Sequence, residues 1–174
     1  MVSFAFGLLI ARLFVGLGFA AHGAQKLFGW FEGPGIAGTA GYFASLGFRP
    51  GVVFAVISGI AELLGGLLIG LGLGGPFGPA MVLGNLLVAA VVVHMKNGFF
   101  ESKNGWEMPA LYIAAATTFA FVGFGSFSLD AKLKFSAILN DPVIVWCALG
   151  IGVSLATGSL LLRQPERRSK RSPD

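Results

Sequence analysis

This sequence predicts an all-α integral membrane helical bundle, and three observations predict it. Hydrophobic residues make up 55% of the 174 positions and charged residues only 11%, against about 25% charged in a typical soluble domain. Mean hydropathy is +0.81. The apolar residues fall into long runs separated by short polar stretches, and 27 glycines allow helices to approach closely in lipid.

The elements follow in order. Val2 to Ala21 carries one charge, Arg12, and is long enough to span about 30 Å of hydrocarbon. With no basic residue before it and Arg12 inside it, this stretch reads as an uncleaved first helix rather than a signal peptide. A polar and aromatic connection follows, His22 to Pro50. Gly33-Pro34-Gly35 turns the chain, and 36–47 suits a short helix lying at the membrane interface, with Trp30 and Tyr42 as anchors. Gly51 to Leu73 is the second spanning helix, with Glu62 at its centre. The glycine- and proline-rich segment 74–79 turns the chain into a third helix, Ala80 to Met95. After the loop 96–107 comes Met108 to Phe124, with Pro109 in the first turn, where its missing N–H costs little. A second polar loop, 125–141, leads to a fifth helix, Pro142 to Leu162.

Five of the twelve Lys/Arg residues follow in the last twelve positions: Arg163, Arg167, Arg168, Lys170 and Arg171. This is the pattern of a cytoplasmic C-terminal tail that also meets anionic lipid. It does not extend into a basic surface, so nucleic-acid binding is excluded. On this topology the connections at 22–50 and 96–107 lie inside with the tail.

The single cysteine, Cys147, rules out a dithiol site. Metal-ligand clusters, Walker loops and nucleophile elbows are absent. Two GxGxxG matches, at Gly33 and Gly70, lack the strand–turn–helix context that gives this motif meaning. The motifs single out no catalytic residue, which leaves any such residue unknown, and no metal site is expected.

The candidate functional residues are polar groups that an apolar bundle must explain. Arg12 and Glu62 are opposite charges on consecutive antiparallel helices, each about 15–18 Å from the same face. They are expected to pair, as a structural salt bridge or as the polar floor of a ligand cavity. Ser58, Glu62, Gly66 and Gly70, four apart, give the second helix a small-residue face for close packing. His22, Lys26, His94, Asn97 and Glu107 gather at the inner boundary. Each histidine reads as an interfacial group bonded to a helix end, as a contact for a quinone or other small molecule, or, as a pair, as axial haem ligands; nothing else in the sequence supports haem. Histidine is also the side chain that ordinarily titrates near neutral pH, which makes both candidates for proton exchange.

Several of these segments together, HGAQKLFGWF at 22–31, GIAELLGGLLIGLGL at 59–73, HMKNGFF at 94–100, WEMPALYIAAA at 106–116 and FSLD at 127–130, resemble the DoxX family of bacterial and archaeal membrane proteins. The resemblance covers about residues 5–130. It implies a four-helix membrane bundle over 1–130; the additional transmembrane helix at 131–163 and the basic cytoplasmic tail at 164–174 depart from the short family form. It further implies a multi-pass protein of a prokaryotic plasma membrane with a link to respiratory or redox complexes. The polar positions of the family motifs fall on His22, Lys26, Glu62, His94, Asn97 and Glu107, with Arg12 in the first helix.

The expected function is therefore a membrane subunit that supports quinone-linked redox chemistry or anchors an oxidoreductase. It would be at most a non-catalytic or quinone-binding subunit, with no cofactor of its own beyond a quinone, and with lipids and other subunits as partners. The alternative is a structural or assembly subunit of a larger membrane complex with no ligand. A small-solute transporter is disfavoured, since no pair of broken helices is evident.

Overall fold

A computed structural model describes residues 2–164. Among these residues there are helices and no strands. In chain order they are α1 (Val2–Phe28), α2 (Gly35–Ser45), α3 (Gly51–Leu71), α4 (Phe77–Ala89), α5 (Glu107–Val122), two single turns α6 (Leu129–Lys132) and α7 (Ser136–Leu139), and α8 (Pro142–Leu161). α4 continues through a π-helical turn, Ala90–His94, and a 3-10 turn, Met95–Asn97.

Four segments are long and apolar enough to cross a membrane: Val2–Phe28, Gly51–Leu71, Phe77–Asn97 and Pro142–Leu161. α5, expected as a further span, has only 16 residues, about 24 Å of helix. It still runs between the two ends of the bundle. It begins beside the end of the α4 segment, where the backbone N–H of Trp106 donates to Gly98 O at 3.2 Å, and after its last turn Gly125 packs on Leu8 and Ala5 near the start of α1.

The largest departure from expectation is α1. It was expected to end at Ala21, where the apolar run ends, but continues to Phe28. Ala24, Gln25, Lys26 and Leu27 are good helix formers, and nothing before Gly29 stops the helix. Gly29, at φ +73°, terminates it in the left-handed conformation that glycine adopts without strain.

Small residues set the register of α1 against α3. A Cβ on Gly66 would overlap the backbone of Gly16 and Ala20, and one on Gly23 would overlap Leu63. The two helices therefore run antiparallel in backbone contact, through the small-residue face at Gly66 and Gly70. α4 meets α8 in the same way at Gly84 and Gly152. Between these pairs lies the apolar core, which includes Phe19, Ile69, Val82, Leu86, Ala116, Phe119 and Val145.

α2 lies across the end where α1 leaves off and α3 begins. Thr39 Oγ1 donates to Gly35 O at 2.7 Å and to Lys26 O at 3.3 Å. The end of α8 returns to the same place: Arg163 Nε donates to Leu46 O at 2.6 Å, and Gln164 N to Gly47 O at 2.7 Å. The rest of the basic tail, 165–174, lies outside the described residues.

Candidate functional site

The α1–α3 register decides which charges meet. Gly23 lies opposite Leu63, so Lys26, one turn further along α1, faces Glu62. Lys26 Nζ donates to Glu62 Oε1 at 2.6 Å and to Ser58 Oγ at 2.9 Å. Asn85 of α4 donates from Nδ2 to the same Oε1 at 2.8 Å. Three helices thus converge on one carboxylate. Glu62 is 6% exposed, whereas Lys26 keeps 27% of its side chain accessible. Glu62 Oε2 is buried and accepts no hydrogen bond among the described residues.

The expected Arg12–Glu62 pair does not form. Equal depth would require α1 to end at His22; with the helix continuing to Phe28, the register displaces Arg12 from Glu62 by roughly three turns, about 16 Å. Arg12 instead lies at the opposite end of the bundle and is 2% exposed. Its Nη1 donates to Gly70 O in the last turn of α3, and its Nη2 to Phe127 O at 2.8 Å. A cation beside the carbonyls that end a helix is favoured by the helix dipole. Beside it, Asp130 Oδ1 accepts from Gly74 N at 3.0 Å and Oδ2 from Gly75 N at 2.8 Å. Arg12 and Asp130 together tie the 125–130 segment onto the α3–α4 turn, which makes this end a closure.

The opposite end is open. α1 and α5 touch little, and between them lies a cleft of about 970 Å³. Ile10, Leu13, Phe14 and Leu17 of α1 form an apolar wall, Phe19 and Tyr112 contribute an edge-to-face ring pair with centroids 5.1 Å apart, and His22, Lys26, Glu62, His94 and Glu101 make its polar end. Lys26 also lines a second cavity of about 370 Å³ beneath α2, together with Ser58 and Asn85.

Of the seven residues singled out in the sequence, four line the cleft: His22, Lys26, Glu62 and His94. His22 Nδ1 meets Gln25 Oε1 at 3.2 Å, and His94 Nδ1 meets Asn104 O at 3.1 Å. The remaining three do other work. Arg12 fastens the far end. Asn97 Nδ2 donates to Asn104 O at 3.0 Å, and Glu107 Oε2 accepts from Glu101 N at 2.9 Å, so both shape the loop after α4. Asn85, Glu101 and Tyr112 were missed as site residues. Asn85 was legible as the single amide inside an otherwise uncharged apolar helix; Glu101 and Tyr112 carried no local signal. Among the described residues no group of three or more metal-binding side chains occurs.

The DoxX family profile matches residues 7–95, just over half of the chain. The match takes in Lys26, Ser58, Glu62, Asn85 and His94 and stops before α5 and α8. The motifs at 106–116 and 127–130 lie beyond it. No curated protein and no solved structure matches the chain. With its apolar spanning helices and this match, the chain is a multi-pass membrane protein and belongs to the DoxX family.

Proposed function

We propose that the protein is a membrane subunit that holds a quinone in the cleft between α1 and α5, in support of an oxidoreductase at the same face. The observation that carries this reading is the cleft itself. It is about 970 Å³, within the ~300–1,000 Å³ range of small-molecule sites. Its apolar length suits an isoprenoid or alkyl tail. Its polar end, beside the Phe19–Tyr112 ring pair, suits a flat head group with oxygen substituents. Lys26 has three ammonium donors and uses two within the cluster, which leaves one to donate to a ring oxygen. His22 and His94 line the polar end of the cleft, where each can offer a ring N–H or a ring nitrogen to a head group. A bound quinone would supply the electron-carrying ring; the residues of this chain bind and orient it.

The charge pattern supports the orientation. Lys26, Arg49, Lys96, Lys103 and Arg163 belong to the end with the polar cluster, and Lys132 and Lys134 to the other. By the positive-inside rule the cleft's polar end and the C-terminus face the cytoplasm of a prokaryotic cell.

The test is equilibrium binding of a short-tailed benzoquinone to the purified protein in phosphatidylcholine nanodiscs, together with extraction of any copurifying quinone. Saturable binding that Lys26→Met weakens about tenfold, the loss of one charge-assisted hydrogen bond, supports the proposal. No saturable binding and no copurifying quinone would overturn it in favour of an assembly subunit without a ligand.

A further inference from the structure

We propose that Glu62 sets the head-group specificity of the cleft, selecting rings that present a hydroxyl donor over rings that present only carbonyl acceptors. This rests on the reading of the cleft as a ring-binding site and adds to it the identity of the discriminating residue.

The carboxylate of Glu62 is asymmetrically served. Oε1 takes donors from both Lys26 and Asn85, at 2.6 and 2.8 Å, while Oε2 takes none and is buried. A buried acceptor without a donor is unfavourable, and an ionised carboxylate accepts through both oxygens. Glu62 is itself part of the cleft lining. The terminal torsion of a glutamate is broad, so a small turn of the carboxylate presents Oε2 to a group in the cleft while Oε1 keeps its two donors. The missing partner is then a donor, and a neutral hydroxyl supplies one without placing a second cation beside Lys26. A carbonyl oxygen at the same point would face the carboxylate oxygen acceptor to acceptor, a repulsive contact. Lys26 serves either kind of head group; Glu62 separates them.

The test uses an alkyl benzoquinol, its dimethyl ether and the corresponding benzoquinone, each titrated anaerobically against the full-length protein in phosphatidylcholine nanodiscs. Wild type is expected to bind the quinol about tenfold tighter than the quinone or the ether, the scale of one charge-assisted hydrogen bond. Glu62→Gln tests the assignment. Its amide oxygen can keep the two donors from Lys26 and Asn85, and its Nε2 then replaces Oε2, turning the acceptor into a donor. The preference is expected to disappear or reverse towards the quinone. A purely structural role for Glu62 would weaken all three ligands together. Equal quinol and quinone affinities in wild type, or a quinol preference that survives Glu62→Gln, would overturn this inference and leave ring binding intact. Failure of all three ligands to bind wild type would overturn both. The wild-type comparison of quinol with its dimethyl ether needs no variant, so equal affinities there overturn the inference even where Glu62→Gln folds poorly.

Discussion

Arg12 and the Lys26–Glu62 pair are both ionisable sites inside an apolar bundle, yet they end up doing opposite things. Arg12 is spent on backbone: its guanidinium bonds the carbonyls of Gly70 and Phe127 and fastens a loop over the end of α3. Lys26 and Glu62 are side chains meeting side chains, with Ser58 and Asn85 in attendance and a cavity on either side. The difference lies in what surrounds each charge. At Arg12 two backbone carbonyls take both terminal nitrogens, and although its buried Nε has no partner among the described residues, Arg12 is not part of the cleft lining. A carboxylate with one oxygen unpartnered, beside an ammonium with a donor to spare, stays incomplete until something enters. A buried charge in a membrane protein therefore marks a site when its hydrogen-bonding is unfinished and a cavity reaches it, as at Lys26 and Glu62.

Among the charged positions, the largest expected effect breaks the closed end. Arg12→Leu removes both guanidinium bonds and leaves two carbonyls without their donors. We expect a loss of about 3 kcal/mol, the sum of two charge-assisted bonds, measured by unfolding in detergent. Ligand affinity in the cleft should stay within about twofold, because Arg12 is not part of the lining and roughly three helical turns separate it from the polar end where the head group would bind. A loss of binding matching the loss of stability would show that the ends are one unit.

Breaking the open end should cost less and be repairable. Lys26→Met strands the Glu62 carboxylate, and removing one partner of a buried pair typically costs 3–5 kcal/mol. Lys26 is 27% exposed, so water reduces the penalty, and about 2 kcal/mol is expected. The double variant Lys26→Met/Glu62→Leu removes both charges and should regain most of that stability while binding stays weakened. A double variant no more stable than Lys26→Met would mean that the pair holds the fold together and is not reserved for the cleft.

How much of this was legible in the sequence depended on what each residue's partner was. Helix count and order, and the small-residue face of α3, follow from apolarity and from spacing, and these are local. The 35–45 helix followed likewise from the spacing of its bulky residues after the Gly33-Pro34-Gly35 turn. The pairing of charges is not local. It depends on register, and register depends on where α1 stops. Apolarity ends at His22, but helix propensity runs on to Gly29, and only a helix that ended with the apolar run would set Arg12 opposite Glu62. The interlocked backbones of Gly16, Ala20 and Gly66 fix the true register, and their sequence signal is only that glycines are present. Tyr112 and Glu101 reach the cleft from α5 and its preceding loop through tertiary packing, which one sequence does not display.

The smallest effect on stability gives the sharpest comparison. Gly18 lines the cleft on α1, and a Cβ built there meets nothing within 4 Å. Gly16, two residues earlier, has no such room, because its Cβ would run into Gly66 and Gly70. Gly18→Leu should therefore fold. The better helix propensity of leucine, worth up to about 1 kcal/mol over glycine, offsets any rearrangement, so the net change should stay within about 0.5 kcal/mol. The same side chain projects into the space proposed for the ligand, and quinone binding should fall at least about tenfold, since overlap with a well-fitted ligand costs at least as much as one lost contact. Gly16→Leu should do the reverse, unseating α1 from α3 and destroying the fold before binding can be asked about. If Gly18→Leu folds and still binds with wild-type affinity, the cleft between α1 and α5 is not where the ligand sits, and the smaller cavity beneath α2, which shares Lys26, becomes the place to look.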